Sequence, residues 1–130
     1  MKRILILLVA ISAVAFRPVS SGLNPPMMAF DELKYNFGFL HQGDIVSHDF
    51  TFTNTGDEPI IIQETEVNCK CTTVEFPKEP ILKGQKGIIK VTYDSKSAMD
   101  RQERTVIVKS NGSNAPVTLT FKCVVLKPKK

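Results

Sequence analysis

From position 29 onward, apolar and polar residues alternate with a period of two, the spacing that turns one face of a β-strand towards a core and the other towards water. In the clearest segment, His48, Phe50 and Phe52 alternate with polar neighbours before the turn-forming cluster at 54–57. The segments that the pattern predicts as strands are 33–37, 46–53, 60–69, 72–76, 88–93, 105–108 and 117–125.

Seven short strands with turn-rich connections predict an all-β domain, because no segment keeps an apolar stripe at helical spacing. Two packed antiparallel sheets are the natural closure for such strands. The expected fold is therefore an immunoglobulin-like antiparallel β-sandwich of about seven strands, preceded by a signal-peptide helix. Residues of common parity should form its core, namely Phe50, Phe52, Ile61, Ile89, Val91, Val106, Val108, Leu119 and Phe121.

The N-terminus has the three parts of a secretory signal. Lys2 and Arg3 precede an apolar run of twelve residues at 4–15, and the run ends in Ala13-Val14-Ala15, which resembles a signal-peptidase site. As a helix the run would be about 18 Å long, short of the roughly 30 Å hydrocarbon core of a bilayer. A short membrane anchor or a buried helix is the alternative. We expect cleavage after Ala15 and no stable membrane insertion afterwards.

The chain therefore divides into a signal peptide at 1–15, a flexible linker at 16–28, the sandwich at 29–126 and a basic tail at 127–130. The linker is rich in Pro, Ser and Gly. The expected location is the periplasm, the outer envelope or the extracellular space. Oligomeric state is left open by the sequence.

The formal charge of +4 is mostly a property of the chain ends. Five cations lie in the signal and the tail, namely Lys2, Arg3, Lys127, Lys129 and Lys130. Without them the folded part is nearly neutral, so it has no basic cluster of the kind that nucleic acid requires. We expect no nucleic-acid partner, and the expected partner is an envelope protein that the sequence does not identify.

Three cysteines are the main candidates for chemistry, as disulfide partners or thiols: Cys69, Cys71 and Cys123. Exported proteins meet an oxidising compartment, and an odd number leaves one cysteine over. On an extended strand the Cα atoms of Cys69 and Cys71 would lie about 6.6 Å apart with parallel side chains, so a bond between them needs a turning backbone. Three readings stay open: a structural role, a redox-labile disulfide, or soft-metal binding by Cys69 and Cys71, which are weak candidates for ligands.

For the pairing, we expect any intramolecular disulfide to join Cys69 to Cys71 and to leave Cys123 buried and free. A bond from either cysteine to Cys123 is the alternative. His48, on the apolar face of its strand, is expected to be a hydrogen-bonded histidine rather than a metal ligand. Glu64 and Glu66 share a strand face that is expected to be solvated. No nucleophile elbow, phosphate loop or zinc-protease helix is present in the sequence, so we expect no enzyme and no cofactor.

Several motifs resemble those of the bacterial exported proteins labelled domain of unknown function 1573. They are Asn36-Phe37-Gly38, "HDFTFTNTGDEPIII" at 48–62, "CKCT" at 69–72, "PILKGQKGIIKVTYD" at 80–94 and "VIVKSN" at 106–111. The resemblance implies an immunoglobulin-like sandwich, related in architecture to modules of major sperm protein and of cilia and centrosome proteins, and no established enzymatic activity. Three positions depart from the family pattern, because Lys70, Lys83 and Cys123 stand where Gly, Pro and Gly are usual.

Two functions follow as hypotheses. The first is a non-catalytic interaction or structural module of the cell envelope, since the fold offers strand edges and loops to partners. The second is a small thiol redox or copper-handling protein built on Cys69-Lys70-Cys71.

Overall fold

The alternating segments of the sequence form eight strands. The computed structural model describes Ala15 and residues 22–129, and within them no helix is long and apolar enough to cross a membrane. The strands are β1 (Met28–Phe30), β2 (Lys34–His41), β3 (Ile45–Asn54), β4 (Ile62–Val67), β5 (Thr72–Glu75), β6 (Lys86–Asp94), β7 (Asp100–Ser110) and β8 (Val117–Leu126). The predicted signal peptide lies outside the described residues, apart from Ala15.

The strands pack as two four-stranded sheets, in the orders β1-β3-β6-β5 and β2-β8-β7-β4. This confirms the predicted all-β sandwich. The eight strands agree with the predicted number of about seven, with the short β1 as the addition. One detail of the prediction was wrong, because β2 pairs with β8 in parallel while the other pairs are antiparallel. Alternation reports which face of a strand is buried, but it carries no information on the direction of the neighbouring strand.

β2 also runs further than the sequence predicted. The predicted first strand ends at Phe37, but Gly38 lies within β2 and adopts a left-handed φ of 75°. The pairing with β8 shifts between Asn36 and Gly38, and the Asn36 side-chain oxygen accepts a hydrogen bond of 2.9 Å from the Gly38 amide. A glycine is suited to this bulge because it adopts the left-handed conformation without a Cβ clash.

The core lies between the sheets and confirms the parity argument at eight of nine predicted positions. Each of these eight residues is at most 1% exposed: Phe50, Phe52, Ile89, Val91, Val106, Val108, Leu119 and Phe121. The ninth prediction was wrong, because Ile61 is 48% exposed while Ile60 is fully buried. Three consecutive isoleucines at 60–62 contain no alternation, so the pattern could not choose the inward parity. The backbone amides and carbonyls of Ile60 and Ile81 hold that parity through two hydrogen bonds of 2.9 Å.

The end of the predicted linker belongs to the domain. Met28 is 2% exposed and lies in β1, which pairs with β3. The carbonyls of Asn24, Pro26 and Met27 accept backbone hydrogen bonds from Asp57, Ser113 and Thr55 respectively. The linker boundary at 28 was therefore too late, since a Pro-rich composition predicts irregular backbone but does not exclude docking onto a sheet edge.

Asn54, at the end of β3, connects three parts of the domain. Its side chain is fully buried, and Nδ2 donates to the carbonyls of Glu58 at 2.8 Å and Ile81 at 2.9 Å. Its Oδ1 accepts from the Gly56 amide at 3.0 Å. One side chain therefore stabilises the turn after β3 and the contact of that turn with the segment before β6.

Candidate functional site

The Cys69-Lys70-Cys71 segment lies in the turn that carries the chain from one sheet to the other. β4 ends at Val67 in the β2-β8-β7-β4 sheet, and β5 begins at Thr72 in the β1-β3-β6-β5 sheet. The Thr72 amide donates to the Cys69 carbonyl at 3.3 Å, so the chain reverses within four residues. The two cysteine Cα atoms are 5.2 Å apart, closer than on an extended strand, and a disulfide joins Cys69 to Cys71.

Each sulfur of this bridge has a hydrogen-bond donor beside it. The Cys71 amide donates to Cys69 Sγ at 2.9 Å. The Thr72 hydroxyl lies 3.7 Å from Cys71 Sγ and can donate to it, since a bridged sulfur carries no proton. Donors in these positions would stabilise thiolates if the bridge were opened, because hydrogen bonding to a charged form favours that form.

The two cysteines differ in their surroundings. Cys69 lines a shallow depression that is open to solvent, formed with Val67, Asn68, Lys70 and Thr72. Both cysteines are half-buried, but Cys71 packs against the hydrophobic core. Lys70, between them, is exposed. Of the two cysteines, Cys69 is therefore the one beside the solvent-open depression.

The disulfide contributes little to the stability of the fold. It closes a ring of three residues, and chain-entropy arguments give such a ring about 1.6 kcal/mol, roughly half of what a 15-residue loop gives. The bridge therefore contributes little to holding β4 and β5 in place compared with the core.

Cys123 lies apart from this turn, on the inward face of β8. Its side chain is 3% exposed and unbonded. Burial raises the pKa of the Cys123 thiol, and the positive charge of Arg104 partly opposes this shift. The group is therefore held as a protonated thiol and packs as a small hydrophobe.

Polar side chains surround this thiol within one end of the sandwich. On β7, Gln102 and Arg104 face inward, and the Arg104 guanidinium donates to the Glu103 carbonyl at 3.0 Å and to the Gln102 side chain at 2.5 Å. The Tyr93 hydroxyl is buried, and neither it nor Arg104 Nε has a hydrogen-bond partner among the described residues. Burial raises the pKa of Tyr93, and the neighbouring Cys123 raises it further.

Sequence reasoning missed this cluster, although one pattern could have found it. Gln102 and Arg104 have the same parity as Val106 and Val108, which are core residues of the same strand. The predicted strand begins at 105, so the inward-facing polar pair at 102 and 104 lies outside it.

The outer face of the β2–β8 pair carries an exposed apolar patch, which we call the Phe39 patch: Phe39, Val124 and Leu126. Phe39 is 74% exposed and lies beside the half-buried Val124 in the strand register. Leu126, two residues further along the same face, is 40% exposed. Arg101 lies on the other side of Val124, on β7. The patch thus combines apolar side chains with a positive charge at its margin.

The remaining candidates have structural surroundings. His48 contacts the Glu32 carboxylate and stacks on the Tyr35 ring with 3.5 Å between ring centres. Glu64 and Glu66 both pair with Lys109 across the exposed face of β4 and β7. Within the part of the chain that the structure describes, no three His, Cys, Asp or Glu side chains are grouped as metal ligands would be. Soft-metal binding by Cys69 and Cys71 would require the bridge to be reduced first, since thiolates are the ligands.

The family comparison covers most of the chain. The model described as protein of unknown function (DUF1573) matches residues 28–125. No curated protein is similar enough in sequence to count as a match.

Solved structures resemble the sandwich at low sequence identity. A protein of unknown function from Porphyromonas gingivalis W83 has a TM-score of 0.70 at 14% identity, covering 82% of this chain and 50% of that one. The secreted serine protease VesC from Vibrio cholerae has a TM-score of 0.61 at 16% identity, covering 77% and 23%. The ASH/PapD-like domain 7 of human CEP192 has a TM-score of 0.63 at 7% identity, covering 93% and 99%.

These likenesses concern the fold alone. The chain spans half the length of the Porphyromonas protein and under a quarter of VesC. A domain of this architecture can thus form part of a larger protein or, as with the CEP192 domain, match nearly the whole of the solved chain.

Proposed function

Because the chain belongs to the DUF1573 family of proteins of unknown function, we propose that it is an exported, non-catalytic interaction module of the bacterial cell envelope. The observation that carries the proposal is the Phe39 patch on the outer face of β2 and β8. Contiguous exposed apolar side chains on a folded domain are typical of surfaces that bind another protein. Phe39, at 74% exposed, is the most exposed large apolar residue of the described chain.

The position of the patch on an edge strand adds a second means of binding. β2 has eight residues and pairs with β8 on one side, and its other side has no strand partner among the described residues. A partner segment could add to that edge through main-chain hydrogen bonds while the Phe39 patch receives its apolar side chains. Such a combination gives affinity through the backbone and selectivity through the patch.

The charges near the patch suggest the chemistry of the partner. Arg101 lies beside Val124, and Lys127 and Lys129 follow Leu126 along the chain. The partner surface proposed here has an apolar side chain near acidic residues. Electrostatic attraction of this kind raises the association rate and weakens as salt increases.

Export is the part of the proposal that depends on the N-terminus. Lys2, Arg3, the apolar run at 4–15 and the Ala13-Val14-Ala15 sequence support it. N-terminal sequencing of the protein isolated from its own cells should begin at Phe16. A chain that retains Met1 would contradict the proposal.

The interaction itself is tested by comparing two surface variants. Phe39→Asp should abolish co-purification of the envelope protein that is isolated together with the wild type, since the substitution introduces a charge into the patch. Ile88→Asp is the matched control, because Ile88 is 48% exposed on the outer face of the other sheet. Both variants should retain the wild-type melting temperature. Equal co-purification by wild type and Phe39→Asp would overturn the proposed surface.

A further inference from the structure

The Cys69-Lys70-Cys71 turn has features that an interaction module does not need. Its disulfide is close to the surface, closes a ring of only three residues and has a hydrogen-bond donor at each sulfur. We propose that this turn is a thiol–disulfide exchange site for protein dithiols and disulfides. Cys69 is the sulfur that exchanges with the partner, and Cys71 is the resolving thiol.

Access distinguishes the two sulfurs. Exchange proceeds when a thiolate attacks a disulfide sulfur, so the attacked sulfur must be reachable from solvent. Cys69 lines the open depression beside Lys70, whereas Cys71 packs against the core. An incoming protein thiolate therefore reaches Cys69.

The donors match these two roles. The Cys71 amide donates to Cys69 Sγ, so a Cys69 thiolate would be stabilised by a backbone group of the same turn. The Thr72 hydroxyl faces Cys71 Sγ and stabilises the thiolate that leaves when Cys69 is attacked. Lys70 supplies a positive charge between the two cysteines, which further favours their ionised forms.

The exchange balances as a two-electron transfer. A partner thiolate attacks Cys69 Sγ, a partner–Cys69 disulfide forms, and the Cys69–Cys71 bond breaks with its electron pair leaving on Cys71. The second thiol of the partner loses its proton to solvent and attacks the partner sulfur of the mixed disulfide. Cys69 then leaves as a thiolate, so the partner dithiol is oxidised and the cysteine pair is reduced. The reverse sequence reduces a partner disulfide.

Cys123 takes no part in this chemistry. It is 3% exposed, and the exchange reaction requires an accessible thiolate. The third cysteine therefore provides an internal control, and Cys123→Ala gives a background in which the turn can be studied alone.

The first experiment compares the two sulfurs in the mature chain carrying Cys123→Ala. With Cys71→Ser added, the remaining Cys69 thiol should react with oxidised glutathione at least about tenfold faster than Cys71 does when Cys69→Ser is added instead. Equal rates, or a faster Cys71, would overturn the assignment of Cys69 as the exchanging sulfur.

A measurement on the unmodified chain covers the case in which either variant fails to fold. The bridged protein is treated with reduced glutathione, quenched with acid, alkylated and cleaved by trypsin after Lys70, which separates the two cysteines into different peptides. The mixed disulfide should be found on Cys69. A mixed disulfide on Cys71, or a bridge that stays closed in excess reduced glutathione, would overturn the proposal.

The role of Thr72 is tested with a neighbouring control. Thr72→Val removes the hydroxyl beside Cys71 Sγ and should slow the opening of the bridge by glutathione about fivefold, because the leaving thiolate loses its donor. Thr73→Val changes the exposed next residue and should leave the rate unchanged. Equal rates for the two variants would contradict the stabilisation of Cys71 by Thr72.

Discussion

Two adjacent isoleucines provide a direct test of how the sandwich is packed. Ile60 is fully buried, whereas Ile61 is 48% exposed, although they are consecutive and chemically identical. Replacing each in turn by alanine removes the same three carbon atoms. The backbone is held by hydrogen bonds at both positions, since Ile60 pairs with Ile81 and the Ile61 amide donates to the Asn111 side chain at 2.8 Å.

The expected magnitudes follow from burial. Three buried methylene-sized groups at about 0.8 kcal/mol each give about 2.4 kcal/mol, and the cavity left in a close-packed core adds to this. Ile60→Ala should therefore cost about 3–4 kcal/mol. Ile61→Ala removes a side chain that is already half in water and leaves no enclosed cavity, so it should cost about 1 kcal/mol or less.

Thermal and denaturant unfolding measure the difference. For a domain of about a hundred residues, 1 kcal/mol corresponds to roughly 4–5 °C in melting temperature, so Ile60→Ala should melt about 12–20 °C below wild type and Ile61→Ala within about 5 °C. The denaturant slope should be unchanged if both variants keep the native fold. Similar losses for the two variants, or a larger loss for Ile61→Ala, would show that the inward parity is wrong.

Three further predictions concern buried groups. Asn54→Ala should cost about 2–4 kcal/mol in urea unfolding, because the carbonyls that its amide contacts lose their donor in a buried site; a loss below about 1 kcal/mol would contradict this. Gly87→Ala should lower the melting temperature by several degrees, because a Cβ there would lie 2.7 Å from a carbon of the Phe52 ring; a wild-type melt would show that the ring can move aside. Above pH 9 the free energy of unfolding should fall, because burial raises the pKa of Cys123 and Tyr93 and the unfolded chain therefore loses these protons first. Cys123→Ala should make this fall with pH less steep, and the same pH dependence for wild type and Cys123→Ala would contradict the prediction.

The strand content was predictable because burial on one face leaves a period of two in the sequence. Phe50 and Phe52 on β3, and Leu119 and Phe121 on β8, show this alternation and are all buried. The alternation was absent at Ile60–Ile62, and there the inward parity could not be chosen. The strands could therefore be predicted wherever one face is exposed to solvent and the other is buried.

Topology and docking depend on contacts between distant segments, which a single-sequence pattern does not encode. The parallel pairing of β2 with β8 joins the first long strand of the domain to its last. The three residues of β1 are too few to show a period, and they gain their place by pairing with β3. Local composition could predict neither.

The sequence predicted a disulfide between Cys69 and Cys71 only on the condition that the chain turns there. Spacing alone showed that Cys69 and Cys71 cannot be joined on an extended strand, and the turn closed by the Thr72 amide supplies the geometry that they need. The hydrogen-bond donors at the two sulfurs depend on the geometry of that turn, so they could not be predicted from the sequence. The Phe39 patch was likewise hidden, because it forms only when β2 and β8 lie side by side.

The central claim is that the Phe39 patch binds a partner in the envelope. Its most direct test is photo-crosslinking in intact cells, with a photoreactive phenylalanine at position 39 and, as control, at position 88. Position 39 should give one discrete crosslinked partner, and position 88, similarly exposed on the opposite sheet, should not give that product. No crosslink at position 39, or the same product from both positions, would contradict the account.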